Sequence, residues 1–116
     1  MKQIAIMLTL CFLIGSNVNA ETPLVGKWKM VTFKVSGNCG MCKTTIEKSL
    51  KNVEGVKLAV WNQETKKITV KYNPSVISLT NIHKKIAAVG YDTSKVKAKK
   101  EVYDNLHGCC QYDREG

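Results

Sequence analysis

The chain has 116 residues, 18 Lys and Arg against 9 Asp and Glu, and 5 Cys. That is room for one small domain with a modest core, and too little for a multidomain enzyme. Hydrophobic residues at 44% and charged residues at 23% exclude the skewed compositions of disordered or collagen-like chains.

Lys2, the apolar run from Ile4 to Gly15 and the following Ser16-Asn17-Val18-Asn19-Ala20 read as a secretory signal peptide over residues 1–20. The run is shorter than the roughly 20 residues that span a bilayer, and Val18 and Ala20 supply the small residues a signal peptidase reads. Cleavage is expected near Ala20, with export to the periplasm or otherwise out of the cytoplasm. A lipoprotein signal around Cys11 fits less well, because Leu10 stands where a small residue belongs. Removing the segment takes Cys11 away and leaves an even number of cysteines, which in an exported chain raises disulfides as well as metal or redox sites.

Residues 21–28 form a lead-in. Val31, Phe33 and Val35 then alternate with Thr32 and Lys34, as a strand buried on one face requires. Gly37-Asn38-Cys39-Gly40 breaks the strand, and from Cys42 onward Ile46, Leu50 and Val53 fall on one helical face that Asn52-Val53-Glu54-Gly55 ends. Val56, Leu58 and Val60 alternate as a second strand, Asn62 to Lys66 make a polar turn, and Ile68, Val70 and Tyr72 complete a hairpin. Asn73-Pro74 stops it. Ser78 can cap a second helix whose Leu79, Ile82, Ile86 and Val89 share a face before Gly90 ends it. Val96 and Ala98 suggest a short fourth strand, and Val102 and Leu106 a terminal helical turn. The order β-α-β-β-α-β predicts an α+β, ferredoxin-like fold: a four-stranded antiparallel sheet with two helices on one face. In that topology Gly90-Tyr91-Asp92 borders the Cys39 to Cys42 loop.

Cys39-Gly40-Met41-Cys42 lies where a strand passes through a glycine-bearing loop into a helix, so both sulfurs can turn toward one ion. The helix N-terminus favours thiolate over thiol, and Lys43 adds positive charge. Two thiolates with no Asp, Glu or His in the loop suit Cu(I) or Hg(II) better than Zn(II), which takes about four ligands in a tetrahedron. The same pair could instead serve thiol-disulfide exchange or form a structural disulfide. Against a thioredoxin-like fold, Pro74 is followed by Ser78 and a helical pattern, not by a strand.

These residues resemble the heavy-metal-associated domain family, and within it small exported proteins similar to mercuric-binding proteins and copper chaperones. The resemblance spans residues 29–98 and rests on Val35-Ser36-Gly37-Asn38-Cys39-Gly40-Met41-Cys42, Thr45-Ile46-Glu47, Gly55-Val56 and Gly90-Tyr91-Asp92. It implies metal thiolates at Cys39 and Cys42, with Tyr91 beside the metal loop. The family usually carries Met two residues before the first cysteine; here that position is Gly37. Met41 is expected to be exposed or packed nearby.

Residues 99–116 form a cysteine-containing tail outside that core. His107, Cys109 and Cys110 could complete a shared centre with Cys39 and Cys42, hold a separate ion, or form disulfides, and to reach the first site the tail must double back. His83, beside Ile82, is expected to face solvent; Trp28 and Trp61 read as packing residues. The lysines are spread along the chain and the only Arg is Arg114, so with export they argue against nucleic acid and for a solvated surface that attracts an acidic partner or anionic membrane. The sequence thus points to a monomeric, non-enzymatic protein. It would hold one soft ion and transfer or sequester it by thiol ligand exchange, its partner a metal-transporting membrane protein or another thiol metal-binding domain.

Overall fold

The structure, a computed structural model, describes residues 28–114. The signal segment 1–20 and the lead-in up to residue 27 lie outside the described residues. Among the described residues no helix is long and apolar enough to cross a membrane.

Strand β1 (Lys29–Lys34), helix α1 (Gly40–Lys48), the hairpin strands β2 (Val56–Asn62) and β3 (Lys67–Tyr72), helix α2 (Leu79–Ala88) and helix α3 (Lys100–Asp104) follow one another, ahead of a 3-10 turn over Gly108–Cys110. The sheet is antiparallel in the order β1-β3-β2, with Val31 opposite Val70 and Phe33 opposite Ile68 on one side, and Ala59 opposite Val70 and Trp61 opposite Ile68 on the other. This register puts Phe33, Ile68 and Trp61 in one row under the helices. The hairpin closes as expected. Asn62 accepts from the backbone N–H groups of Glu64 and Thr65 through its side chain, and Lys66 takes the left-handed conformation at φ 62°.

Alternation in β2 is interrupted by a register shift between Val56 and Leu58. The extra residue, Lys57, flips the strand, so Ala59 and Trp61 point inward while Leu58 and Val60 face solvent. Helix α1 stops at Lys48, earlier than the Ile46, Leu50, Val53 face suggests, because Leu50 and Lys51 donate to carbonyls only three residues back and Asn52 turns left-handed at φ 60°. Leu50 is nevertheless buried under the turn. Helix α2 is capped as expected, with the Ser78 hydroxyl accepting from the Asn81 N–H at 3.1 Å.

The four-stranded sheet is corrected to three strands among the described residues. The fourth segment contributes one bridge, Val35 to Thr93, flanked by Ser36 N–H to Asp92 and Ser94 N–H to Lys34. It goes no further because a tight turn takes over: Thr93 Oγ1 accepts from the N–H groups of Lys95 and Val96, and the Ala98 N–H is drawn to the Asp92 carboxylate at 2.7 Å. Donors that a ladder would need are satisfied locally.

The core between sheet and helices holds Ile46, Leu50, Trp61, Ile68, Val70, Ile82, Ile86 and Tyr91, and it extends to Cys110 and Tyr112 of the tail. Each fully buried aliphatic side chain there is worth about 1.5–3 kcal/mol relative to exposure. His83 belongs to this core, at 1% exposure, and the expectation that it faces solvent is wrong. Its ring stacks on Phe33 with centroids 3.9 Å apart, and Nδ1 lies 2.6 Å from Thr93 Oγ1. Burial, aided by Lys95, lowers its pKa, so the imidazole is a neutral packing group.

Candidate metal centre

Cys39 occupies the position just before α1 in extended conformation, and Cys42 is the third residue of the helix, buried beside Ile46. Their sulfurs stand 3.5 Å apart. Asn38 N–H points at Cys42 Sγ at 3.4 Å, which tightens the loop around the inner sulfur. Gly37 explains the missing methionine: a Cβ there would lie 2.9 Å from the Trp61 ring, so the indole occupies the space beneath the loop. The Trp61 ring is fixed by its Nε1–H, which donates to the Val35 carbonyl at 3.0 Å. Met41 is 47% exposed.

The structure brings the tail to this loop. Cys109 Sγ lies 2.9 Å from Cys39 Sγ, Cys110 Sγ lies 3.6 Å from it, and the two tail sulfurs are 3.9 Å apart. Cys39, Cys42 and Cys110 converge as one group whose sulfurs are all within 4.8 Å of one another. Among the described residues the four cysteines form no disulfide, with Cys42 and Cys110 buried, Cys39 half-buried and Cys109 exposed.

Sequence reasoning left the direction of the tail open, and long-range contacts settle it. Gly90, at φ +108°, packs so closely on Leu106 that a Cβ would come within 2.9 Å of its side chain. The Tyr112 hydroxyl donates to the Gly90 carbonyl and accepts from the Asp92 N–H, at 2.8 and 2.9 Å. Its ring stacks on Tyr91 and meets Tyr103 edge-on. Arg114 grips both Asp92 oxygens, at 2.7 and 3.0 Å, and also donates to the Ala98 carbonyl. None of Tyr103, Tyr112 or Arg114 carries a sequence signal for this role beyond its residue type.

The electrostatics divide the four thiols. The Cys109 thiol beside Cys39, with the Cys42 backbone N–H at the helix start, lowers Cys39 to about 6, a thiolate at neutral pH. Cys109 is raised by that same contact. Burial, then the neighbouring Cys42 sulfur, pushes Cys110 up. Tyr91 is buried at 1% exposure, and burial first, then hydrogen bonding with the Cys110 and Cys42 sulfurs, raises its pKa. Lys43 also has a structural part. Its ammonium binds Glu47 at 2.6 Å and the Trp61 carbonyl at 2.8 Å, tying α1 to β2. His107 is exposed and stands outside the convergent group; its backbone carbonyl accepts the Cys110 N–H.

Residues 32–92 match the model of the heavy-metal-associated domain. Over 64 residues the chain is 42% identical to a copper-exporting P-type ATPase of Staphylococcus saprophyticus, covering 55% of this chain and 8% of the ATPase. The copper chaperone CopZ of Staphylococcus aureus (strain bovine RF122 / ET3-1) is 34% identical over 55 residues, 47% of this chain and 81% of the chaperone. Among solved structures, oxidized MerP from Ralstonia metallidurans CH34 superposes with a TM-score of 0.55 at 31% identity, covering 58% of this chain and 94% of MerP. The chain therefore spans under a tenth of that ATPase but most of the two small proteins.

Proposed function

From a chain that belongs to the heavy-metal-associated domain family, we propose a protein that takes up a soft ion, Cu(I) or Hg(II), at Cys39 and Cys42 and transfers or sequesters it by thiol ligand exchange. The observation that carries this reading is the pair of sulfurs 3.5 Å apart at the start of α1, one half-buried and one buried. The residues suit the ion. The convergent group contains sulfur alone, with no carboxylate or imidazole, which favours soft ions over Zn(II). Exchange is the natural chemistry of such a site, since an incoming thiolate can add to a low-coordinate ion before an outgoing one leaves. No bond of a substrate is cleaved and no enzymatic role is needed.

The likeness to a copper chaperone and to a copper-exporting ATPase supports a partner of the same kind, a metal-transporting membrane protein or another thiol metal-binding domain. Export after cleavage near Ala20 belongs to this reading and is supported by the pattern of residues 1–20. The test is anaerobic titration of the reduced protein with Cu(I), Hg(II) and Zn(II). Wild type should bind one soft ion far more tightly than Zn(II), and Cys39→Ser should lose it; unchanged binding by that variant would overturn the assignment.

One observation favours a second reading, thiol-disulfide exchange: Cys39 and Cys109 sulfurs are in contact at 2.9 Å. Catalysed reduction of a protein disulfide by the metal-free protein, lost in Cys39→Ser, would establish it.

A further inference from the structure

Two overlapping sets of three sulfurs share the edge between Cys39 and Cys110. The inner set adds buried Cys42. The outer set adds exposed Cys109, with sulfur separations of 2.9, 3.6 and 3.9 Å. Distances decide what the inner set can hold. With metal–sulfur bonds of about 2.3 Å, two thiolates on opposite sides of an ion stand about 4.6 Å apart, whereas three around it stand about 4.0 Å apart. Cys39 lies 3.5 Å from Cys42 and 3.6 Å from Cys110, closer to the trigonal separation than to the linear one.

We propose that the tail converts the two-thiolate clamp into a three-thiolate site of Cys39, Cys42 and Cys110, with Cys109 as the exchange ligand through which the soft ion enters and leaves. The inference rests on the metal-binding reading above and assigns its ligand set. Cys110 is 2% exposed and joins the hydrophobic core, so it is a built part of the site. Its position is imposed by the Tyr112, Arg114 and Leu106 contacts to Gly90 and Asp92. Cys109, one residue earlier, is left at the surface within reach of both shared sulfurs.

On entry the ion is held by the thiolates of Cys39, Cys110 and Cys109 while Cys42 remains a thiol. As the Cys42 sulfur binds, its proton passes through solvent to the departing Cys109 sulfur. Three sulfurs surround the ion before and after, and its oxidation state does not change. Release runs the same step backward, with a partner's thiolate then displacing Cys109. The tail thus offers in one chain the additional thiolates that a second protein must supply to a two-thiolate clamp.

X-ray absorption on the monomeric wild-type protein loaded with one equivalent of Cu(I) should count three sulfurs, a measurement that needs no variant. Cys110→Ser should fall to two sulfurs and bind more weakly by about tenfold or more in competition with a Cu(I) chelator. Cys109→Ser should keep three sulfurs but pass the ion to that chelator about tenfold more slowly. Two sulfurs in wild type, or Cys110→Ser with unchanged sulfur count and affinity, would overturn the ligand set. Transfer from Cys109→Ser as fast as from wild type would remove the exchange role. The outcomes stay separable: a wild type with two sulfurs whose Cys39→Ser variant binds nothing leaves the metal-binding reading standing while this inference falls.

Discussion

Arg114 holds Asp92 through two hydrogen bonds, and this pair joins the C-terminal tail to the segment that borders the Cys39–Cys42 loop. The Asp92 side chain is 9% exposed and Arg114 23%, so the contact is shielded on both sides. Removing one partner leaves a charge in a site built for two.

Arg114→Ala is therefore expected to destabilise the protein by about 2–3 kcal/mol, at the low end for a broken buried pair because Arg114 keeps some solvent. The loss should appear in urea unfolding. It should also free the tail locally, so that Cys110 in the reduced, metal-free protein reacts with iodoacetamide faster than in wild type, while Cys42, held by the core and by Asn38, changes much less. Equal acceleration at both cysteines would mean that the whole domain, not the tail, has loosened.

The same pair sets a pH dependence. Burial alone would raise the Asp92 carboxyl, but hydrogen bonds from Arg114 and the Ala98 N–H outweigh it and leave the pKa below the usual value. A carboxyl depressed in the folded state contributes stability that is complete above its unfolded pKa of about 3.9 and is lost as pH falls through the folded value. Wild type should then begin to lose stability below about pH 4 and lose tail docking only as pH falls through the lower folded value, with the stability difference between wild type and Asp92→Asn shrinking over that same acid range. A difference that stays constant from neutral pH into acid would exclude Asp92 as the titrating group.

Much of this was legible in the sequence, and the parts that were not share a cause. The hairpin and the Ser78 cap follow from local patterns of two to four residues. The missing fourth strand, the depth of His83 and the path of the tail depend on contacts between distant segments. Val96 and Ala98 alternate as a strand would, yet Thr93 and Asp92 capture the backbone first. His83 is buried because α2 buries a face wide enough to take in both Ile82 and its neighbour. The candidate site divides the same way. Cys39 and Cys42 announce themselves by spacing, whereas Cys109 and Cys110 reach them through long-range contacts: Tyr112 and Arg114 bind Gly90 and Asp92, and Gly90, at positive φ, lets Leu106 pack against it.

His83 supplies a check on what belongs to the site. Its imidazole is buried, stacked on Phe33 and paired with Thr93, and it contributes no atom to the sulfur group. His83→Ala should cost about 2–4 kcal/mol in unfolding free energy through the cavity it leaves, since Thr93 Oγ1 keeps its Lys95 and Val96 partners, and leave the Cu(I) stoichiometry and affinity of the folded protein unchanged. A weaker site in a protein that remains folded would draw His83 into the metal chemistry.

Gly37 offers the sharpest test of how this chain departs from its family. The Trp61 ring fills the volume where a side chain at position 37 would go, and a Cβ there would also lie 3.4 Å from the Cys42 Cβ. Gly37→Met, which restores the residue usual in the family, forces the indole away from Val35 or lifts the loop. Overpacking of this kind costs about 1–3 kcal/mol. The Trp61 fluorescence should shift as the indole N–H leaves the Val35 carbonyl, and thermal unfolding should fall. Gly37→Met combined with Trp61→Leu should recover part of that loss, because the smaller side chain vacates the space that methionine takes. If Gly37→Met alone is as stable as wild type, the indole does not fix the loop and Cys39 and Cys42 owe their placement to α1.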